Sequence, residues 1–182
     1  VSRKQAEAIA QQLTASLPSG SPMAAPETAS LPVASEQRIA HSAAQAHLMI
    51  GVPALKRGDP DFFPLIVGNY SLGGGGFVSR LMKEVRDKRG LAYGVQSYFM
   101  PMVQPGPFQI GLQTKKAQAN EALQVVREVL AGFLADGPNE EELQAAKQNL
   151  VGSFPLRLDS NQKILDNVAA IDNQIGFYYL HV

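Results

Sequence analysis

Three segments of this chain alternate apolar and polar side chains with a period of two, and that alternation constrains the fold more than any other feature. Ala46, Leu48, Ile50 and Val52 alternate with Gln45, His47, Met49 and Gly51, the pattern of a strand with one buried face. Leu91, Tyr93, Val95 and Phe99 define one side of a second strand and Phe108, Ile110 and Leu112 one side of a third, with Pro105-Gly106 as the turn of a long antiparallel hairpin. Strands with a single apolar face need cover on that face alone. An α+β architecture, helices packed on one face of an antiparallel sheet, meets the need, and no dinucleotide-type βαβ unit or repeat competes with it.

The intervening sequence supplies the helices. Asp59-Pro60-Asp61 opens an apolar run that predicts a helix over 61–72, and Val78, Leu81, Met82 and Val85 predict a second amphipathic helix ending near Arg89-Gly90. Leu123, Val126, Leu130 and Phe133 mark a third, stopped by Gly137-Pro138. Asn139 with Glu142 forms a capping-box start for a fourth, carrying Leu143, Ala146, Leu150 and Phe154 and kinked or ended by Pro155. A last helix is expected over 161–180, where Ile164, Val168, Ile171 and Ile175 keep a helical period.

Ahead of the first strand, Ser2 caps a short helix of about 3–16 carrying Ala6, Ile9 and Leu13. Residues 18–35 hold four of the twelve prolines (Pro18, Pro22, Pro26, Pro32) among Ser, Ala and Gly, a linker composition. The domain organisation expected is therefore an N-terminal helix over 1–17, a linker over 18–35 and a main domain over 36–182. Val1 is no initiator and the last residues carry no cap, so the chain is expected to begin inside a longer protein and to stop before its last domain is complete.

Composition excludes several functions. Sixteen basic side chains balance sixteen acidic ones, so no global field draws the chain to nucleic acid. There is no cysteine, hence no disulfide and no thiolate metal site or nucleophile. Apolar runs fall short of the ~20 residues a membrane span needs. The histidines are His41, His47 and His181; no H-x-x-E-H or H-E-x-x-H occurs, and His41 and His47 on one extended strand would stand about 20 Å apart. The acidic run Glu140-Glu141-Glu142 sits in a helix's first turn, where the helix dipole already favours it.

Two features remain. Gly73, Gly74, Gly75 and Gly76 precede a helix, as in a phosphate cradle, but no Gly-Lys-Ser/Thr follows, and a flexible or tightly packed helix–helix joint explains them as well. Residues 79–93 carry five basic side chains against two acidic ones. Such a face is ordinarily just solvated. Arg86 nevertheless lies at the edge of the apolar stripe and Tyr93 opens the next strand, so a guanidinium and a phenol can converge at that corner on a peptide carbonyl or developing oxyanion.

The residues Asn69-Tyr70-Ser71-Leu72, the four glycines with Phe77, Ser79-Arg80-Leu81, Glu84-Val85-Arg86 and Arg89-Gly90-Leu91-Ala92-Tyr93 together resemble the pitrilysin, insulinase and mitochondrial processing peptidase family of zinc metallopeptidases. The likeness continues through Gly137-Pro138-Asn139-Glu140-Glu141-Glu142-Leu143 and Lys147-Gln148-Asn149-Leu150. The resemblance implies paired α+β halves closing around a peptide substrate: a first half with H-x-x-E-H and a distant Glu that bind zinc, and a second half without metal ligands that contributes an Arg and a Tyr seven residues apart. Those positions match Arg86 and Tyr93. The glycines become a family joint lining the peptide chamber, and the N-terminal helix belongs to the preceding half. Lacking the zinc motif, this chain is expected to bind no cofactor and to hydrolyse nothing unaided, the zinc lying in a partner domain or subunit. A peptidase-like scaffold or peptide-binding module is the alternative. The resemblance also suggests a periplasmic or membrane-associated bacterial protein.

Overall fold

A computed structural model describes residues 1–18, 20, 27 and 30–170. The chain divides into two compact units, Val1–Ser30 and Leu31–Val182. In the first, helix α1 (Arg3–Thr14) starts on a capping box: the Ser2 hydroxyl accepts the Gln5 N–H, and the Gln5 side chain accepts the Ser2 N–H. Half of the expected linker, residues 19, 21–26, 28 and 29, lies outside the described residues.

In the second unit β1 (Gln45–Pro53), β2 (Ala92–Phe99) and β3 (Pro107–Lys115) form one antiparallel sheet in the order β1-β3-β2. The hairpin's second strand is therefore central. Leu112 stands opposite both Leu48 and Val95, and Ile110 opposite Ile50 and Ser97, so the inward faces of all three strands line up. Val52 shares the inward side yet is exposed, contrary to the alternation.

The helical layer covers that one face, as the alternation requires. Helix α2 (Phe62–Asn69) continues as a π-helical turn, Tyr70–Gly74. Asp61 holds the N-cap position without a side-chain cap bond; its N–H instead donates to the Asp59 carboxylate at 3.0 Å. A 3₁₀ turn over Gly76–Val78 follows, then a second π-helical turn over Met82–Asp87. This corrects the expected second α-helix: Val78 stands outside it and is exposed, while Leu81, Met82 and Val85 are buried. Helix α3 (Ala119–Asp136) buries Ala122, Val125 and Val126 against these residues and against Leu72, Leu91, Val95, Ile110 and Leu112. Leu130 and Phe133 are partly buried at the edge of that core.

Helix α4 (Glu140–Ser153) gives way to a 3₁₀ turn at Phe154–Arg157, where Pro155 lacks the N–H to continue; Phe154 is exposed rather than packed. Helix α5 (Asn161–Ala170) falls within the span expected for the last helix; Ile171, Ile175 and the stretch to residue 180 lie outside the described residues.

The predicted capping box at Asn139 forms and is tied to the layer below. The Asn139 side chain accepts the Glu142 N–H and Glu142 accepts the Asn139 N–H, both at 2.9 Å. Arg80 then grips the same carboxylate with Nε at 2.8 Å and Nη2 at 2.6 Å, while Nη2 also donates to the Gly137 carbonyl. This guanidinium fork holds the Glu142 carboxyl below the usual carboxylate range. A depressed folded-state value means that the stabilisation is complete above the ordinary value of 4.5 and is lost as pH falls through the folded one. Replacing Glu142 with Gln is expected to cost about 1–2 kcal/mol at pH 7, with the deficit shrinking below about pH 4.5. Urea titrations of both proteins at pH 7 and in acid measure it; an equal deficit at both would contradict the assignment.

Candidate functional site

The basic segment resolves into charges with different tasks. Lys88 and Arg89 both bond to Glu84 at 2.6 Å, and Arg80 is taken by Glu142. Their donors hold Glu84 below the ordinary carboxylate range. These three cations are structural or solvated, as most such faces are. Arg86 differs. Its guanidinium carbon lies 4.8 Å from the Phe77 ring centroid and 5.6 Å from that of Tyr93, inside the range of cation–π attraction. Among the described residues its one hydrogen bond to a side chain, Nη1 to Asp87, is a longer 3.2 Å.

The backbone explains how Tyr93 reaches this place. Alternation puts Tyr93 on the inward side with Leu91 and Val95, whereas it is 89% exposed. Ala92 pairs with Thr114 and Val95 with Leu112, so β2 spends three steps where β3 spends two. This β-bulge re-aims the side chain out of the core. The turn out of the π-helical segment fixes the other member: the Gly90 N–H bonds to the Arg86 carbonyl and the Leu91 N–H to the Val85 carbonyl. Thr114, buried, anchors the same corner by donating its hydroxyl to the Leu91 carbonyl at 2.6 Å. The Tyr93 hydroxyl has no hydrogen-bond partner among the described residues.

A groove of about 570 Å³ runs from Tyr93 along the sheet, bordered by Phe77, Met49, Gln96, Gly111 and Gln113, and its walls carry no Asp, Glu, Lys or Arg. Of the four glycines, Gly76 borders this groove. Gly73 and Gly74, again with Gly76, border a separate cavity of about 360 Å³ beside Asn69 and Tyr98. Gly75 packs against Tyr70, whose carbonyl oxygen would stand 2.6 Å from a Cβ there. The tetraglycine is thus foremost a close-packed joint.

Phe77 is the site residue that reading by pattern missed. Its one signal is a large aromatic immediately after four glycines, in a segment where Val78 looked like the next core residue.

Among the described residues no three His, Asp or Glu side chains converge as a metal site; His181 lies outside them. These residues do not fit a zinc ion. No helix among them is long and apolar enough to cross a membrane.

Against this geometry, a family model described as the peptidase M16 inactive domain matches residues 1–150. A crystal structure of a peptidase M16 inactive domain from Pseudomonas fluorescens superposes with a TM-score of 0.87 at 44% identity, covering 99% of this chain and 42% of that one. An uncharacterized zinc protease of Streptomyces coelicolor is 35% identical over 124 residues, 68% of this chain and 27% of that protein. A non-peptidase homolog of Helicobacter pylori is 40% identical over 87 residues, 46% of this chain and 19% of that protein. The chain spans less than a third of the length of these two curated relatives.

Proposed function

We propose that this chain, which belongs to the family of peptidase M16 inactive domains, is the substrate-binding, non-catalytic half of a zinc-dependent endopeptidase. Zinc and the water it activates lie in another domain or subunit, and Arg86 and Tyr93 reach the peptide from this side. The observation that carries the reading is the meeting of these two side chains beside a groove that Tyr93 helps to line, Tyr93 turned out by the bulge and its hydroxyl without a hydrogen-bond partner among the described residues. A guanidinium with N–H groups to spare beside its bond to Asp87 binds a peptide carbonyl or carboxylate, and a phenol beside it can donate to an oxyanion. A groove wall that holds no carboxylate, ammonium or guanidinium suits the backbone and neutral side chains of an extended peptide.

The test is Arg86→Ala in the protein assembled with its zinc-bearing half. Losing a charge-assisted hydrogen bond to substrate is expected to lower kcat/KM about tenfold, mostly through KM, with zinc content unchanged. Wild-type kinetics would end the role given to Arg86. The relative in Helicobacter pylori that is called a non-peptidase homolog favours a second reading, a peptidase-like scaffold or peptide-binding module. Peptide binding by an assembly that contains zinc and turns nothing over would select it.

A further inference from the structure

We infer that Phe77 is a positioning residue that holds the Arg86 guanidinium in its working position. The inference rests on the role proposed above for Arg86 and deepens it. An arginine loses considerable rotamer freedom when it is fixed, and something must fix this one. Asp87, its next neighbour in sequence, is engaged through one N–H at 3.2 Å, longer than the roughly 2.7–2.9 Å of a strong charge-assisted bond. The contrast with Arg80, gripped by Glu142 at 2.6 and 2.8 Å, is direct. What surrounds the Arg86 guanidinium instead is aromatic, with Phe77 the nearer ring at 4.8 Å.

Nothing in the core accounts for Phe77. The side chain is 66% exposed, yet its place is built with care. Gly76 adopts φ +62°, a conformation other residues rarely take, and its carbonyl accepts both the Ser79 N–H at 3.0 Å and the Ser79 hydroxyl at 2.7 Å. Ser79 is itself fully buried. The turn carrying Phe77 is thereby pinned from below while the ring stays in solvent beside the guanidinium. Beyond Nη1, which bonds to Asp87, the guanidinium's N–H groups have no hydrogen-bond partner among the described residues, so they can meet a carbonyl or carboxylate while the ring holds the group.

The experiment is steady-state peptide cleavage by the protein assembled with its zinc-bearing half, comparing Phe77→Leu, Phe77→Tyr, Arg86→Ala and the double variant F77L/R86A. Loss of one partly exposed cation–π contact is expected to raise KM roughly fivefold in F77L with kcat unchanged, while F77Y restores the wild-type KM. In the R86A background F77L should add nothing, since the group it positions is gone. An undiminished F77L effect in that background, an F77L KM equal to wild type, an F77Y as impaired as F77L, or a fall in kcat alone overturns the inference and leaves Arg86 standing. An R86A variant with wild-type kinetics sinks both together, and is told apart by that single measurement.

Discussion

Gly73→Ala is expected to destabilise the protein by about 3 kcal/mol or more, the sum of overpacking and a broken buried hydrogen-bond pair. A Cβ at this position would lie 2.8 Å from both Leu81 Cδ1 and the Ser97 backbone nitrogen and would run into the Ser97 hydroxyl. None of these atoms is the loose end of a flexible chain: Leu81 is fully buried, and Ser97, 2% exposed, lies in β2. The methyl group therefore has to push the π-helical turn off the sheet. The shift also opens a polar pair, for the Ser97 hydroxyl donates to Asn69 Oδ1 at 2.5 Å and Asn69 Nδ2 donates to the Ser97 carbonyl at 2.9 Å. Separating them forfeits both buried hydrogen bonds. For a domain of this size, 3 kcal/mol lowers the melting midpoint by about 6–12 °C. Gly132→Ala is the matched control. It adds the same methyl in the middle of α3 with nothing within 4 Å of the new Cβ, so helix propensity makes it neutral or stabilising by up to about 1 kcal/mol. Equal midpoints for the two variants would show that the joint is looser than its geometry states.

That joint also marks where the sequence stops being readable. β1 and β3 follow from alternation because each has one covered face, and the capping box at Asn139 follows because its two partners are three residues apart. The π-helical turns do not follow. Leu81, Met82 and Val85 satisfy the 3.6-residue period over so short a span that a wider turn leaves the same apolar signature, and Val78, which fits the narrower period, is exposed. Tyr93 fails for a related reason. Leu91, Val95 and Phe99 are evenly spaced and invite Tyr93 onto their side, but the extra residue of a bulge leaves no mark on composition and shows only in the pairing with β3. The Asn69–Ser97 pair spans 28 residues and was invisible for that reason. The convergence of Arg86 with Tyr93, by contrast, was legible from a basic helix running straight into a strand, although the bulge that brings it about was not.

Tyr93→Phe is expected to lower kcat about 100-fold in the assembled, zinc-loaded protein, the scale on which removing one oxyanion donor acts, while KM changes little. The substitution removes one oxygen and keeps the ring. The contact with Arg86, 5.6 Å from ring centroid to guanidinium carbon, and the wall of the groove therefore survive. Because the side chain is exposed and its hydroxyl has no partner among the described residues, the fold has nothing to lose, and unfolding should stay within about 0.5 kcal/mol of wild type. A hydrogen bond made only as charge develops on the substrate oxygen lowers the barrier without tightening ground-state binding, so its loss belongs in kcat. Arg86→Ala, read chiefly in KM, then separates holding the peptide from stabilising its transition state. Tyr98→Phe supplies the control: its hydroxyl is engaged with Gln109 Oε1 at 2.7 Å, so losing it should leave turnover near wild type. If Tyr93→Phe and Tyr98→Phe both cleave peptide at the wild-type rate with zinc in place, the phenol at the mouth of the groove takes no part in the chemistry, and this half serves the peptide by binding alone.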